Sequence, residues 1–406
     1  MSDINVLFVT WDGPKSSYLE SLFLPIFRHL KSKGINFHVM QFTWAGKSER
    51  NSLHDVLEAS GVTYQVIPIW RWQISLGSLA ALFLGFYKID KAIRRLNINV
   101  VMPRSTLPAI ASLYALKKNI DLRLLFDADG LPHDERVDFG GMSSDSFVYR
   151  LLRDFEALAV RRADAVLTRS KKAIDILAAR GGSGVSLGKF HVVTNGRDQD
   201  LFKPFPLSCR LAIRRTLEIQ NDAPLVVYVG SSMHGKYCGL EMLDFFKCVR
   251  ARRGDAHLLI LSSDLEEACI LLSRYASFRK SCHIMHVEPD RVAEYLSASD
   301  LGLALIHPAF SMQAVAAIKM GEYLLCGVPV LATAGIGDSD VISADVGMVV
   351  QRMDAAALMA AADWFVDSVL PHRERFRANS RALGLARFAI GASAASYRDA
   401  LRDLVR

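Results

Sequence analysis

The sequence is poor in the features that mark several protein classes. Its cysteines, Cys209, Cys238, Cys248, Cys269, Cys282 and Cys326, are scattered, with no Cys-x-x-Cys pair and no four-ligand His/Cys set at zinc spacing. A disulfide scaffold and a zinc finger are thereby excluded, and free thiols in a reducing compartment are expected. No run of five or six like charges occurs, which argues against a tail dedicated to nucleic acid. The longest apolar stretch, from Ile74 to Tyr87, falls short of the roughly 20 residues a spanning helix needs. The opening MSDINVLFVTWDG carries no basic region or cleavage site, so no secretory signal is expected. GxGxxG and Walker A patterns are absent as well.

What is present describes a large globular protein. With 406 residues, 51% hydrophobic and 22% charged, the chain is too long for one ordinary core, and two domains are expected. The net charge of +7 suits an anionic ligand, an anionic membrane surface or nucleic acid without choosing among them. Short apolar runs alternate with helical patterns, which predicts parallel α/β sheets. Strands are expected at 5–10, 37–42, 63–67, 100–102, 123–126, within ADAVLTRS, and at 190–193. After Pro206 the pattern restarts, with strands at 225–229, 256–261, 283–285, 301–305 and 328–332.

The first half places charged loops at the carboxyl ends of its strands, the rim where open α/β sheets bind ligands. Asp12-Gly13-Pro14-Lys15-Ser16-Ser17 follows the first strand, ahead of a helix expected over 18–33. Pro103-Arg104-Ser105 follows the fourth. Asp127 opens DADGLPHDERVDFGG, which Pro and Gly mark as a loop, and His133 within it reads as uncommitted. Trp70 and Trp72 precede an apolar helix ending in Lys88, Lys91, Arg94 and Arg95. That segment fits either contact with a bilayer surface or a buried helix with a solvated end.

The second half is organised around KMGEYLLCGVPVLATAG, Lys319 to Gly335. Met320, Tyr323 and Leu324 form one apolar helical face, Cys326-Gly327 supplies a left-handed stop, and Val328 to Ala332 reads as a buried strand. This corner puts Lys319 and Glu322 in the first helical turn and Gly335-Ile336-Gly337-Asp338 in the loop after the strand, on one rim. A surface lysine and glutamate with no task is the bland alternative. Upstream, GSSMHGKYCG follows a strand, and Gly230, Ser231, Ser232 and Lys236 make a reasonable diphosphate cradle of amides, hydroxyls and an ammonium. Arg373, Arg375, Arg377 and Arg381 read as a solvated basic face.

KMGEYLLCGVPV resembles the most recognisable segment of the retaining glycosyltransferases of family 4, whose fold, GT-B, sets two Rossmann-like doubly wound parallel-sheet domains facing a cleft. The resemblance implies that Glu322 holds the ribose hydroxyls of a nucleotide sugar, a task suited to a carboxylate that accepts two hydrogen bonds from a diol. An earlier glutamate common in the family is Ala314 here. Lys236 matches the lysine that grips the diphosphate, whereas Ser231 or Ser232 stands in place of the accompanying arginine, so a further cation or donor is needed. Gly335, Gly337 and Asp338 match a Gly-x-Gly-Asp variant facing phosphate or sugar.

Asp127, Gly130, Asp134, Glu135, Arg136 and Asp138 resemble a loop of bacterial polysaccharide-assembly members, with Asp129 where arginine is preferred. Gly13, Ser17, Arg104, Ser105, Asp127, Glu135 and Arg136 become the expected acceptor side, and Asp127 a residue that orients the acceptor. Thr194-Asn195-Gly196-Arg197-Asp198 resembles a Pro-Asn-Gly-Val-Asp signature closing the first domain, and its own chemistry predicts only a turn and linker.

The resemblance implies an acceptor-binding domain at 1–204, a donor-binding domain at 205–385, and a terminal helix, 386–406, returning to the first. It implies a retaining transferase moving a hexosyl unit from a UDP- or GDP-sugar to a glycan or lipid-linked acceptor in surface polysaccharide synthesis. It also implies no cofactor, no essential metal and no nucleic-acid partner, in the cytoplasm or at the inner face of the membrane. Two alternatives stay open. One is a GT-B sugar-nucleotide epimerase, and the other is a non-catalytic nucleotide-sugar-binding subunit of an assembly complex.

Overall fold

The computed structural model describes residues 3–14, 16–70, 74–117, 121–230 and 232–405. Trp72 and Ser231 lie outside the described residues. The chain forms two compact units, one of Met1–Gly196 with Ile390–Arg406 and one of Arg197–Ala389.

The sheet of the first unit comprises β1 (Ile4–Trp11), β2 (Ile35–Thr43), β3 (Thr63–Pro68), β4 (Val100–Pro103), β5 (Arg123–Asp127), β6 (Ala165–Thr168) and β7 (Phe190–Val192), in the order β3-β2-β1-β4-β5-β6-β7. All its pairings are parallel. Successive side chains of a strand point to opposite faces, so the continuous apolar run of β1 feeds two cores. Val6 and Phe8 join the side packed by α1 (Leu24–Lys31) and by the C-terminal helix Ile390–Leu404. Leu7 and Val9 join the side covered by α2 (Ile74–Arg95) and α3 (Thr106–Leu116).

Two stretches differ from the sequence reading. Residues 132–138 form a helix, α4 (Pro132–Asp138), where a loop was expected. Pro132 occupies its first turn, where a missing N–H costs nothing and a fixed φ favours helix, and Gly130 at φ 88° turns the chain into it. The helix expected over 18–33 opens as a π-helical turn, Leu19–Phe23, before α1, because Pro25 cannot donate to the preceding turn. A further helix, α5 (Phe147–Arg162), packs on α3 and is capped by Ser146, whose side chain accepts from Tyr149 N–H.

The second unit holds β8 (Leu225–Val229), β9 (His257–Leu261), β10 (Cys282–Met285), β11 (Leu301–Ala304), β12 (Val330–Thr333) and β13 (Gly347–Val350), parallel in the order β10-β9-β8-β11-β12-β13. Helices α6 (Gly239–Arg252) and α7 (Ile318–Leu325) follow the tips of β8 and β11. Among the described residues, no helix is long and apolar enough to cross a membrane.

The arginines read as a solvated face are mostly structural pins. Arg377 donates to the Ser297 and Ser299 carbonyls, Arg381 to those of Phe202 and Leu325, and Arg373 pairs with the buried Asp300 at 3.2 Å. Sequence reading missed them because carbonyl acceptors leave no mark in composition. Arg381 thereby satisfies a carbonyl at the end of α7, where helix acceptors are left over.

Candidate functional site

The α7 corner is built by its glycines. Val328 N–H donates to the Tyr323 carbonyl and Gly327 N–H to that of Leu324, the Schellman pattern, with Gly327 at φ 72°. Tyr323 is fully buried. Its hydroxyl accepts from Val229 N–H at 2.9 Å, and its ring occupies the space that a side chain at residue 302 would fill. The first turns of α7 are thus bolted to the tip of β8, and the two segments singled out from the sequence meet at one rim.

Lys319 is the centre of that meeting. Its side chain is 9% exposed, and its Nζ lies 4.1 Å from the Tyr228 ring centroid and 4.2 Å from that of Tyr237. It has no hydrogen-bond partner among the described residues. A Cβ on Gly230 would come within 3.0 Å of Nζ, so glycine there opens the backbone to the ammonium. Burial lowers the Lys319 pKa to about 7, with Lys236 adding to the depression and Glu322 opposing it. The lysine therefore has three donors, none used among the described residues, and a charge supported by two ring faces and by the nearby Glu322.

Around it the predicted donor residues take different roles. Lys236, half-buried, stands in the loop leading to α6, and that loop is anchored by Tyr237 bridging Ile306 and by His307 N–H donating to the Lys236 carbonyl. Ser232 is committed elsewhere: its hydroxyl donates to Glu267 at 2.9 Å, and Met233 N–H donates to the same carboxylate. Lys319, arriving from α7, thus brings a second cation to the rim that holds Lys236. Gly337 lies against the Val315 carbonyl, where a Cβ would come to 2.2 Å, and Gly335 takes φ 80°. Asp338 accepts from Ala317 N–H at 3.5 Å through Oδ1, while Oδ2 has no partner among the described residues. Burial pushes the Asp338 pKa up to about 7.

Glu322 carries a feature that sequence reasoning missed. Its Oε1 pairs with Arg197 Nη2 at 2.7 Å, and both side chains are largely enclosed. Arg197 is fixed in turn, with its N–H donating to the Phe388 carbonyl at 2.7 Å and its guanidinium 4.9 Å from the Phe202 ring. The available signal was an arginine at the position where the resembled signature carries valine.

In the first unit, the predicted rim residues Arg104, Ser105 and Asp127 come together. Ser105 N–H donates to the Asp127 carbonyl, and Ser105 is held at φ 71°, a strained value for a side-chain-bearing residue. The Asp127 carboxylate is fully enclosed and accepts from Arg169 at 2.9 Å, so it does not reach a ligand directly. Asp129 is the accessible carboxylate, paired with Arg104. Arg104 also lies 4.9 Å from the Tyr18 ring, next to the predicted Ser17, and the Trp44 ring covers Gly13. Arg169 and Tyr18 escaped the sequence reading, and Asp129 was read only as a departure from the resembled loop, because their convergence with Arg104 crosses strands.

Glu135 and Arg136 sit on α4, half-buried and exposed. The neighbouring polar residues are structural. Asp134 accepts from Tyr149 and Arg180, and Arg180 also reaches Glu156. His133 is not uncommitted: it is buried, bonded to Thr106, and burial lowers its pKa to about 4. Among the described residues, Cys238, Glu241 and His307 offer ligand atoms within 4.8 Å of one another, but burial pushes the Cys238 thiol up, away from the thiolate a metal requires.

Residues 210–383 match the family model described as Glycosyl transferases group 1. No curated protein sequence matches the chain. Among solved structures, a glycosyltransferase from Rickettsia africae superposes with a TM-score of 0.76 at 14% identity, covering 100% of both chains. Anabaena Alr3699/HepE in complex with UDP gives 0.73 at 15% identity, covering 98% of this chain and 100% of that one. WaaG, a glycosyltransferase involved in lipopolysaccharide biosynthesis, gives 0.67 at 18% identity, covering 98% of each. The architecture is therefore GT-B.

Proposed function

We propose that this protein is a retaining glycosyltransferase that binds a UDP- or GDP-linked hexose through its second unit and transfers the sugar to a glycan or lipid-linked acceptor at the inner face of the membrane, in surface polysaccharide synthesis. The observation that carries the reading is the buried Lys319 ammonium, without a hydrogen-bond partner among the described residues, beside Gly230 and on the same short helix as Glu322. An ammonium with three unused donors at a strand tip suits a diphosphate, and a carboxylate one turn further suits a ribose diol. The match of residues 210–383 to a glycosyltransferase model, and a fold shared with a protein solved with UDP, support the same assignment.

In this reading Lys319 and Lys236 stabilise the charge that grows on the departing diphosphate, interactions that strengthen toward the transition state. Arg197 fixes Glu322 through Oε1, leaving Oε2 to accept from the ribose. Asp338, whose pKa of about 7 leaves it partly protonated at neutral pH, can donate to a sugar or phosphate oxygen. On the first unit, Asp129 and Arg104 meet the acceptor, and Asp127 positions them through Arg169. No protein nucleophile is assigned.

A thermal-shift series with UDP, GDP, ADP and their sugars tests donor binding, because a ligand of the folded state raises the melting temperature by mass action. No shift with any of them would remove the proposal. Radiolabelled UDP-sugar then separates the alternatives: an epimerase converts it without acceptor, and a non-catalytic subunit binds it unchanged. The second alternative draws on the enclosed Arg197–Glu322 pair and on Ala314, and acceptor-dependent transfer lost in Glu322→Ala excludes it.

A further inference from the structure

The amino ends of the second sheet, opposite the rim that holds Lys319, carry two histidines. His257 opens β9, and His283 is the second residue of β10, the edge strand. His283 pairs in register with Leu259, two residues beyond His257, so both imidazoles leave the same face of the sheet as diagonal neighbours. Both are half-buried.

His257 Nδ1 stands 3.0 Å from His283 Nε2, with the two ring centroids 5.2 Å apart. As a neutral pair they share one hydrogen bond, one nitrogen donating and the other accepting. The same spacing suits two nitrogens on a single metal ion. Metal–nitrogen bonds of about 2.0–2.1 Å, at angles between about 90° and 109°, set the nitrogens about 2.9–3.4 Å apart. Moving the shared hydrogen to the far nitrogen of its own ring leaves a lone pair on each facing nitrogen, and no net proton is released.

The surroundings keep the imidazoles in the ligand form, which is neutral. Burial lowers the His257 pKa to about 4, with His283, Arg250 and Arg214 adding to the depression and Asp255 opposing it. Burial also lowers that of His283, against the opposing charge of Glu218. The other charges on this side are engaged: Arg214 donates to Asp300 and to the Ala223 carbonyl, Arg250 to the Ala256 carbonyl, and Asp255 accepts from Arg253.

We propose that His257 and His283 together bind one divalent transition-metal ion of the kind that prefers imidazole, such as zinc, nickel or copper(II), and that the ion ties the edge strand β10 to β9. Among the described residues no third histidine, cysteine or acid joins the pair within 4.8 Å, so water completes the coordination. The site is remote from Lys319 and Glu322 along the strands, and it does not rest on the transferase reading.

The test uses the full chain after treatment with a chelator, with zinc(II) and cobalt(II) as probes. One equivalent of zinc binds and raises the melting temperature by mass action on the folded state. Cobalt(II) gives a spectrum of nitrogen and oxygen ligation without a thiolate charge-transfer band. His257→Gln and His283→Gln each weaken zinc by at least about tenfold in calorimetric titrations. Two ordinary histidines would lose about tenfold in metal affinity between pH 7 and pH 6, and this pair loses less because both rings are already neutral.

No zinc-dependent rise in the wild type overturns the proposal, as does wild-type affinity in either glutamine variant. A thiolate band that persists when both histidines are replaced and disappears in Cys238→Ser also overturns it, and assigns the metal to Cys238, Glu241 and His307 instead. The wild-type cobalt spectrum reads the ligand type without any substitution, so it decides even where a variant does not fold.

Discussion

The carboxyl rims of the two sheets carry similar residue types and use them in opposite ways. In the first unit the charges neutralise one another: Arg169 holds Asp127, Arg104 holds Asp129, and Arg169 reaches Asp129 at 3.7 Å. Both rims keep unused polar atoms, Asp127 Oδ1 and Arg169 Nη1 in the first and Asp338 Oδ2 in the second, but in the second the Lys319 ammonium has no hydrogen bond at all among the described residues. A rim whose charges are ion-paired offers dipoles and a shaped surface, suited to a neutral hydroxyl-bearing molecule. A rim with a desolvated, unsatisfied ammonium stores a cost that an anion relieves. The difference separates the proposed acceptor side from the proposed donor side in physical terms.

The comparison is broken most severely at Arg169. Arg169→Met leaves Asp127 buried and unpaired, and urea denaturation should show a loss of about 3–5 kcal/mol. A loss under about 1 kcal/mol would mean that the first rim is not a charge-paired network. Next, Lys319→Met should leave the fold intact and lower kcat by about 100- to 1000-fold, the effect of removing one preorganised donor to a developing anion. Unchanged turnover in steady-state assays would sink the lysine's role.

The same lysine supplies a pH signature. Its folded pKa, about 7, lies below its ordinary 10.5, so between those values the unfolded chain binds more protons and stability rises with pH. The contribution has a slope of up to about 1.4 kcal/mol per pH unit, with the burial penalty fully present below pH 7. Lys319→Met should flatten that rise in denaturant midpoints measured from pH 7 to 10. Diphosphate binding favours the ammonium, so UDP affinity in the wild type should fall as pH increases above 7, with proton uptake visible by calorimetry in buffers of different ionisation enthalpy.

Glu322→Ala should weaken UDP by about 10- to 100-fold, the worth of hydrogen bonds to a charged group. Arg197→Met should produce a smaller loss that disappears when the ligand lacks ribose hydroxyls. Titrations in which Arg197→Met binds ribose-bearing and ribose-free ligands with unchanged ratio would remove it as a positioning residue. The smallest effect is expected at Ser232→Ala. Turnover should stay within about twofold while stability drops by about 1 kcal/mol, because the hydroxyl serves Glu267. A large kcat loss there would return Ser232 to the phosphate site.

Much of the second unit's rim geometry was legible because its information is local. Gly327 must take a left-handed φ, Lys319 and Glu322 are three positions apart on one helix, and the β8 loop announces itself by glycine. Arg197, which grips Glu322 from 125 positions away in sequence, could not be weighed by periodicity, and it was read only as part of a turn. The first unit's rim suffered more. Asp127 was visible, but its enclosure by Arg169 was not, and α4 was taken for a loop because Pro132 was counted as a breaker rather than as a first-turn residue.

The sequence by itself determined the alternation of strands and helices, the two parallel sheets and the rim on which the charged loops fall, because apolar periodicity and glycine placement act over a few residues. Only the tertiary structure decided which of those charges are spent on one another and which are left for a ligand. Pairing and desolvation depend on distances across strands and helices that no local pattern encodes.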